Sequence, residues 1–168
     1  MFWPFRSPPG QTKAPYPFLN ELVKLFFSSD EGVRKQARRF ARSLEADDAG
    51  HVADVVLKVL RDDSKAAQHI DAIRALATLG PPAKSATDSL KPFLKSDDHS
   101  TSIAAAAALH RILPQSDYNK ILVESVGERL GIKTTGDAFI LLPGGQQSAE
   151  FIMFENAVRE EENQHLPH

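Results

Sequence analysis

The chain has no cysteine. Disulfides, thiolate zinc sites, iron–sulfur clusters and cysteine nucleophiles are therefore excluded, and a reducing, cytoplasmic setting is expected. No apolar run approaches the roughly 20 residues that a membrane-spanning helix needs. Strings that hold phosphates or present nucleophiles are missing as well: there is no G-x-G-x-x-G, Walker A, G-x-S-x-G or H-E-x-x-H. Gly144-Gly145 follows Pro143, and no helix start with Lys-Ser/Thr comes after it, so it reads as a turn. His51, His69, His99 and His110 fall in different helices or turns, and His165 and His168 share ligand-like spacing only in the tail. No enzyme, metal or cofactor is expected from this inventory.

What remains is enough for one folded domain. The chain has 168 residues, 42% of them hydrophobic, too apolar for disorder and long enough to bury about two thirds of the unfolded surface. The formal net charge of −2 hides an asymmetry. Residues 1–44 hold eight Lys/Arg and three Asp/Glu, and residues 45–168 hold twelve and nineteen. A basic first third implies either an anionic partner or pairing between the two ends of the chain.

Residues 1–17 read as an extended arm. Pro4, Pro8, Pro9, Pro15 and Pro17 remove backbone donors and bias the residues before them away from helix. The arm carries Phe2, Trp3, Phe5 and Tyr16, rings that either cover the exposed end of the following domain or form a docking or membrane-interface motif. No apolar signal-peptide core is present.

Helical periodicity starts at Phe18 and places Phe18, Leu19, Leu22, Val23, Phe26 and Phe27 on one face. Asp30 suits an N-cap for a helix over 31–44 with the stripe Val33, Ala37, Phe40, Ala41 and Leu44. Similar units follow. Asp47-Asp48 precedes a helix over 51–60, Asp62-Asp63 one ending at Leu79-Gly80, and Asp97-Asp98 one over 100–113, with a further helix at 82–94. These paired carboxylates read as caps that complement the helix dipole. The second helices align: Ala37, Ala72 and Ala105 correspond, as do Phe40, Ala75 and Ala108, and Leu44, Leu79 and Ile112, at spacings of 35 and 33 residues. A helix pair recurring at this period cannot bury its apolar face alone and must stack on its neighbours.

Residues 74–113, with Leu79-Gly80, Ala83, Ala86, the ridge from Leu90 to Leu94, the Asp97-Asp98 turn and the alanine-rich helix closing at Leu109 and Ile112, resemble HEAT repeats of the short bacterial type also found in phycobilisome lyases. The resemblance covers about residues 18–113. It implies an all-α, right-handed solenoid of three to four helix pairs over 18–131. Such repeats usually carry an arginine early in the second helix. Arg34 matches, and His69 and Ser102 stand at the other two positions. Di-iron hydroxylases of this kind carry repeated His-Glu pairs, which this chain lacks.

After a helix over 117–130 the pattern changes. Residues 132–158 are expected to cap the stack. Ala138–Leu142 and Phe151–Phe154 around Pro143-Gly144-Gly145 read as a β-hairpin, or else Ser148 caps a helix through Phe151, Phe154, Ala157 and Val158. Residues 159–168, with Glu160-Glu161-Glu162, read as a disordered acidic tail.

The feature that points to function is Arg34, Lys35, Arg38, Arg39 and Arg42 on the helix over 31–44, with no acid interleaved from Arg34 to Arg42. Arg34, Arg38 and Arg42 share a face, and Arg39 aligns with Arg74 of the next unit. This face, with Trp3 and Phe5, is the expected partner-binding surface of a non-enzymatic scaffold or adaptor. An acidic protein surface is the expected ligand. Nucleic acid, or a lyase-like role in handling a cofactor, is the alternative. The chain's own acidic tail, in cis or from a second copy, is the candidate nearest to hand.

Overall fold

The computed structural model describes residues 17–135, 138–141 and 145–166. These residues form eight α-helices and one small antiparallel sheet. In chain order come α1 (Pro17–Phe26), α2 (Glu31–Ala41), α3 (Ala46–Leu60) and α4 (His69–Leu79), the last entered through a 3₁₀ segment, Asp63–Gln68. A broken helical stretch follows: 3₁₀ turns at Pro81–Ala86 and Lys91–Lys95 flank the short α5 (Thr87–Leu90). Then come α6 (His99–Ile112), α7 (Gln115–Leu130), strands β1 (Ile132–Thr135) and β2 (Ala138–Leu141), and α8 (Gly145–His165).

The local reasons are visible at the helix ends. Asp30 and Asp98 each accept the free backbone N–H three residues on, at 3.1 Å, and so start α2 and α6. Asp62 accepts from the Ser64 N–H at 3.0 Å. Asp47 and Asp48 do not cap: α3 starts at Ala46 and places both carboxylates in its first turn, where they face the positive end of the dipole. Gly80, at φ +67°, closes α4, a geometry that a residue with a Cβ would strain. The single helix expected over 82–94 is broken twice, first at Ala83, where the backbone leaves helical geometry, and again at Pro92, which supplies no N–H to continue the ladder.

The helices pack in two rows. One row is α1, α3, the 81–95 stretch and α7, and the other is α2, α4 and α6, with each element touching the next in its row. The core runs along the seam, through Phe26, Val52, Val56, Ile73, Leu76, Leu90, Leu94 and Leu109. Ala104 to Ala108 are all 0–1% exposed, which lets α6 approach its neighbours closely. α8 lies against α6 and α7, outside the second row.

The C-terminal third corrects the sequence reading. The sheet pairs β1 with β2, Thr135 opposite Ala138 and Ile132 opposite Leu141, rather than 138–142 with 151–154. Residues 151–154 are helical because their burial follows a helical period: Phe151, Phe154 and Val158 are buried, and Ile152 and Met153 are exposed. The acidic stretch from Arg159 to His165 continues α8 and is not a disordered tail. The stripe expected on α2 is also rotated. Ala37 and Ala41 are buried as expected, but so is Arg38, and Val33 and Phe40 are exposed. Among the described residues no helix is long and apolar enough to cross a membrane.

Ala105 of α6 is fully buried. Ala105→Asp puts an unpaired carboxylate there, at an expected cost of more than about 3 kcal/mol. Thermal unfolding followed by circular dichroism checks this, and a parent-like melt would show that α6 is not packed as described.

Candidate functional site

The basic residues of α2 and α4 meet the acidic end of α8. In the bidentate contact between them, Arg74 donates from Nε to Glu161 Oε1 at 2.6 Å and from Nη2 to Oε2 at 3.2 Å. Both side chains are largely covered, at 16% and 9% exposure. A fork-to-carboxylate geometry of this kind fixes orientation as well as supplying attraction. One helical turn on, the His165 carbonyl oxygen accepts from Arg38 Nε at 3.0 Å. His110 of α6 meets Glu162 at 2.8 Å and packs edge-on against Tyr118. Three helices, α2, α4 and α6, thus each hold one point on α8.

Arg38 is the most constrained member. It is 1% exposed, and its Nη1 has no acceptor among the described residues. By the repeat register it stands where α4 has Ile73, a core position. Burial and the nearby Arg74 charge push its pKa below the usual arginine range. Arg34 lies beside it and is also occupied, with Nη1 donating to the Ser28 carbonyl at 2.6 Å and Nε 3.4 Å from Asp71. Of the expected partner-binding residues, Arg34, Arg38 and Arg74 are therefore engaged within the chain. Lys35, Arg39 and Arg42 remain exposed. Trp3 and Phe5 lie outside the described residues. Among the described residues no group of three His, Asp or Glu side chains is gathered as a metal would require.

A second feature lies at the opposite edge of α2. Phe18 and Leu25 of α1 and Val33 and Phe40 of α2 line an apolar groove of about 540 Å³, with Glu21 and Asp30 in its wall. Leu25, Val33 and Phe40 are 44%, 36% and 51% exposed. Phe40 aligns with Ala75 and Ala108, both fully buried; α4 and α6 have helices packed on both sides, whereas among the described residues no helix precedes α1 and α2. The sequence reading placed Val33 and Phe40 in the core and missed the groove. The signal was there for Phe40, a large apolar residue at a register position where the later units carry alanine.

The two histidines at the α8 junction shift in opposite directions. The Glu162 carboxylate raises the pKa of His110, so this contact supports folding fully below the unfolded value of 6.5 and is lost as pH rises through the raised value. Burial, together with the Arg74 charge, lowers that of His165, so its contribution is full above 6.5 and is lost as pH falls through the lowered value. Glu162→Gln removes the partner of His110. The stability gap between parent and variant should be wider at about pH 5.5 than at about pH 8.5, as read by urea denaturation at the two pH values, and an equal gap would refute the assignment. Glu161→Ala leaves Arg74 covered and uncompensated, at an expected cost of about 3 kcal/mol. Arg38→Glu should destabilise at least as much, whereas Arg39→Glu with Arg42→Glu should stay within about 0.5 kcal/mol of the parent. Denaturation midpoints of the three proteins test this ranking.

No protein-family model, curated protein or solved structure matches this chain.

Proposed function

We propose that this protein is a non-enzymatic helical-repeat module of HEAT-like type that binds another protein through the groove between α1 and α2. The observation that carries the reading is the concentration of exposed apolar surface. Among the described residues six large hydrophobic side chains are exposed, and four of them, Phe18, Leu25, Val33 and Phe40, surround this one groove. A contiguous apolar patch rimmed by polar residues marks an interaction site more often than a fold defect. The wall residues Glu21 and Asp30 are both acidic, and no Lys or Arg lines the groove. The partner chemistry that fits is a segment with aromatic or large aliphatic side chains and flanking basic residues. An acidic partner on α2 is the weaker reading, because α8 already engages Arg38 and Arg74. A solenoid role suits the two-row stack, in which each pair leaves its outer face to the next unit.

A photo-crosslinking benzoylphenylalanine at position 40 tests the reading in cells expressing the full chain. A discrete adduct of increased mass is expected at position 40 and not at the exposed position 153 on α8. Absence of any position-specific adduct would overturn it.

A further inference from the structure

We infer that the resident occupant of the α1–α2 groove is the chain's own segment from Phe2 to Phe5, seated in cis, so that a partner must displace it. The inference rests on the reading of the groove as a docking site and names what fills it.

Three observations carry it. The first is placement. The described chain begins at Pro17, and the next residue, Phe18, already lines the groove. Residues 6–16 connect Phe5 to this point, and an extended chain spans up to about 3.3 Å per residue. The tether therefore exceeds the length of α1, whose 10 residues rise about 15 Å in all. The second is chemistry. Phe2, Trp3 and Phe5 are three large rings within four residues, and in an extended chain residues i and i+2 project to one side, so Trp3 and Phe5 would enter together. Pro4 between them lowers the entropy lost on ordering the segment. The third is charge. Residues 1–16 carry Arg6 and Lys13 and no acid, and the groove wall carries Glu21 and Asp30 and no base. Complementary charges set direction and register more than affinity.

Tethering makes modest contacts sufficient. A short flexible connection holds the segment at an effective concentration in the millimolar range. Docking too weak to see between separate molecules then keeps the groove filled in one chain, yet yields to a partner with a larger apolar surface.

Trp3 is the only tryptophan in the chain, so its fluorescence reports on the segment directly in the full-length protein. Its emission should be blue-shifted from that of the unfolded chain, and acrylamide should quench it severalfold less. Phe40→Ser and Leu25→Ser, each at an exposed position, should both return emission and quenching to the unfolded values while leaving the helical circular dichroism signal unchanged. Parent emission equal to that of the unfolded chain would overturn the inference. So would a blue shift that survives both substitutions, since Trp3 would then be seated elsewhere. A shift that grows with protein concentration would assign the groove to the arm of a second copy and refute seating in cis. The crosslinking experiment separates this inference from the function it rests on. Trp3→Ser with Phe5→Ser should raise the yield of the position-40 adduct severalfold. Equal yield with an exposed Trp3 refutes the seated arm alone, and no adduct in either protein refutes the docking site itself.

Discussion

Much of this molecule is arranged around α6, whose middle turns have no polar face. In α6, Ile103 through Leu109 are all at most 5% exposed, so apolar side chains surround the helix instead of forming a stripe. Such a helix must be covered on every side. α4 covers one side at the close distance that alanine allows, the 81–95 stretch and α7 cover another, and α8 covers the rest. Without α8 the outer face of α6 would stand in water.

That requirement explains how an acidic sequence comes to be folded. Glu160-Glu161-Glu162 has the composition of a solvated tail, and isolated like charges at successive positions gain nothing from helix formation. The same segment carries Phe154, Val158 and Leu166, all buried. Burial of those side chains brings Glu161 and Glu162 against Arg74 and His110, and the charges that would disfavour a free helix then orient a docked one. Arg38 is retained in a core register position because the helix that covers it brings a carbonyl acceptor at 3.0 Å. Replacing a buried polar contact of this kind by an apolar pair is often neutral for stability, whereas removing one member is costly. The Arg38 and Arg74 contacts therefore account better for where α8 sits than for how stable the domain is.

The period-3.6 signal made residues 18–113 largely legible. The caps at Asp30, Asp62 and Asp98, the stop at Gly80 and the burial of Ala105, Ala108 and Leu109 all follow from local chemistry that the sequence states directly. Two things were not legible, and both depend on what lies beside a helix rather than within it. The rotation of α2 was hidden because Val33, Ala37, Phe40 and Ala41 form a consistent stripe, while burial followed Ala37, Arg38 and Ala41 instead. Burying a guanidinium calls for an acceptor to meet it, and the one that meets Arg38 Nε is the His165 carbonyl, 127 positions away. The strand at 132–135 was missed for a related reason. Lys133, Thr134 and Thr135 offer little apolar signal, and the pairing with 138–141 comes from the short connection between them.

The end of a stack is where sequence pattern and burial must part company. α4 has α2 and α6 beside it and α6 has α4 and α8, so small residues such as Ala75 and Ala108 suit these two covered helices. The first unit has a neighbour on one side only among the described residues. A polar face there would simply end the row of helices, as a capping repeat ends a solenoid. This chain instead keeps Leu25, Val33 and Phe40 at that edge, half exposed, at a site where an unoccupied apolar groove would favour aggregation. At the other end the same problem is solved by covalent continuity: α8 folds back over α6 and places Phe151 and Phe154 against the domain. An edge that is neither polar nor covered by the described residues, in a chain whose residues 2–5 hold three large rings, is what the proposed removable cover requires.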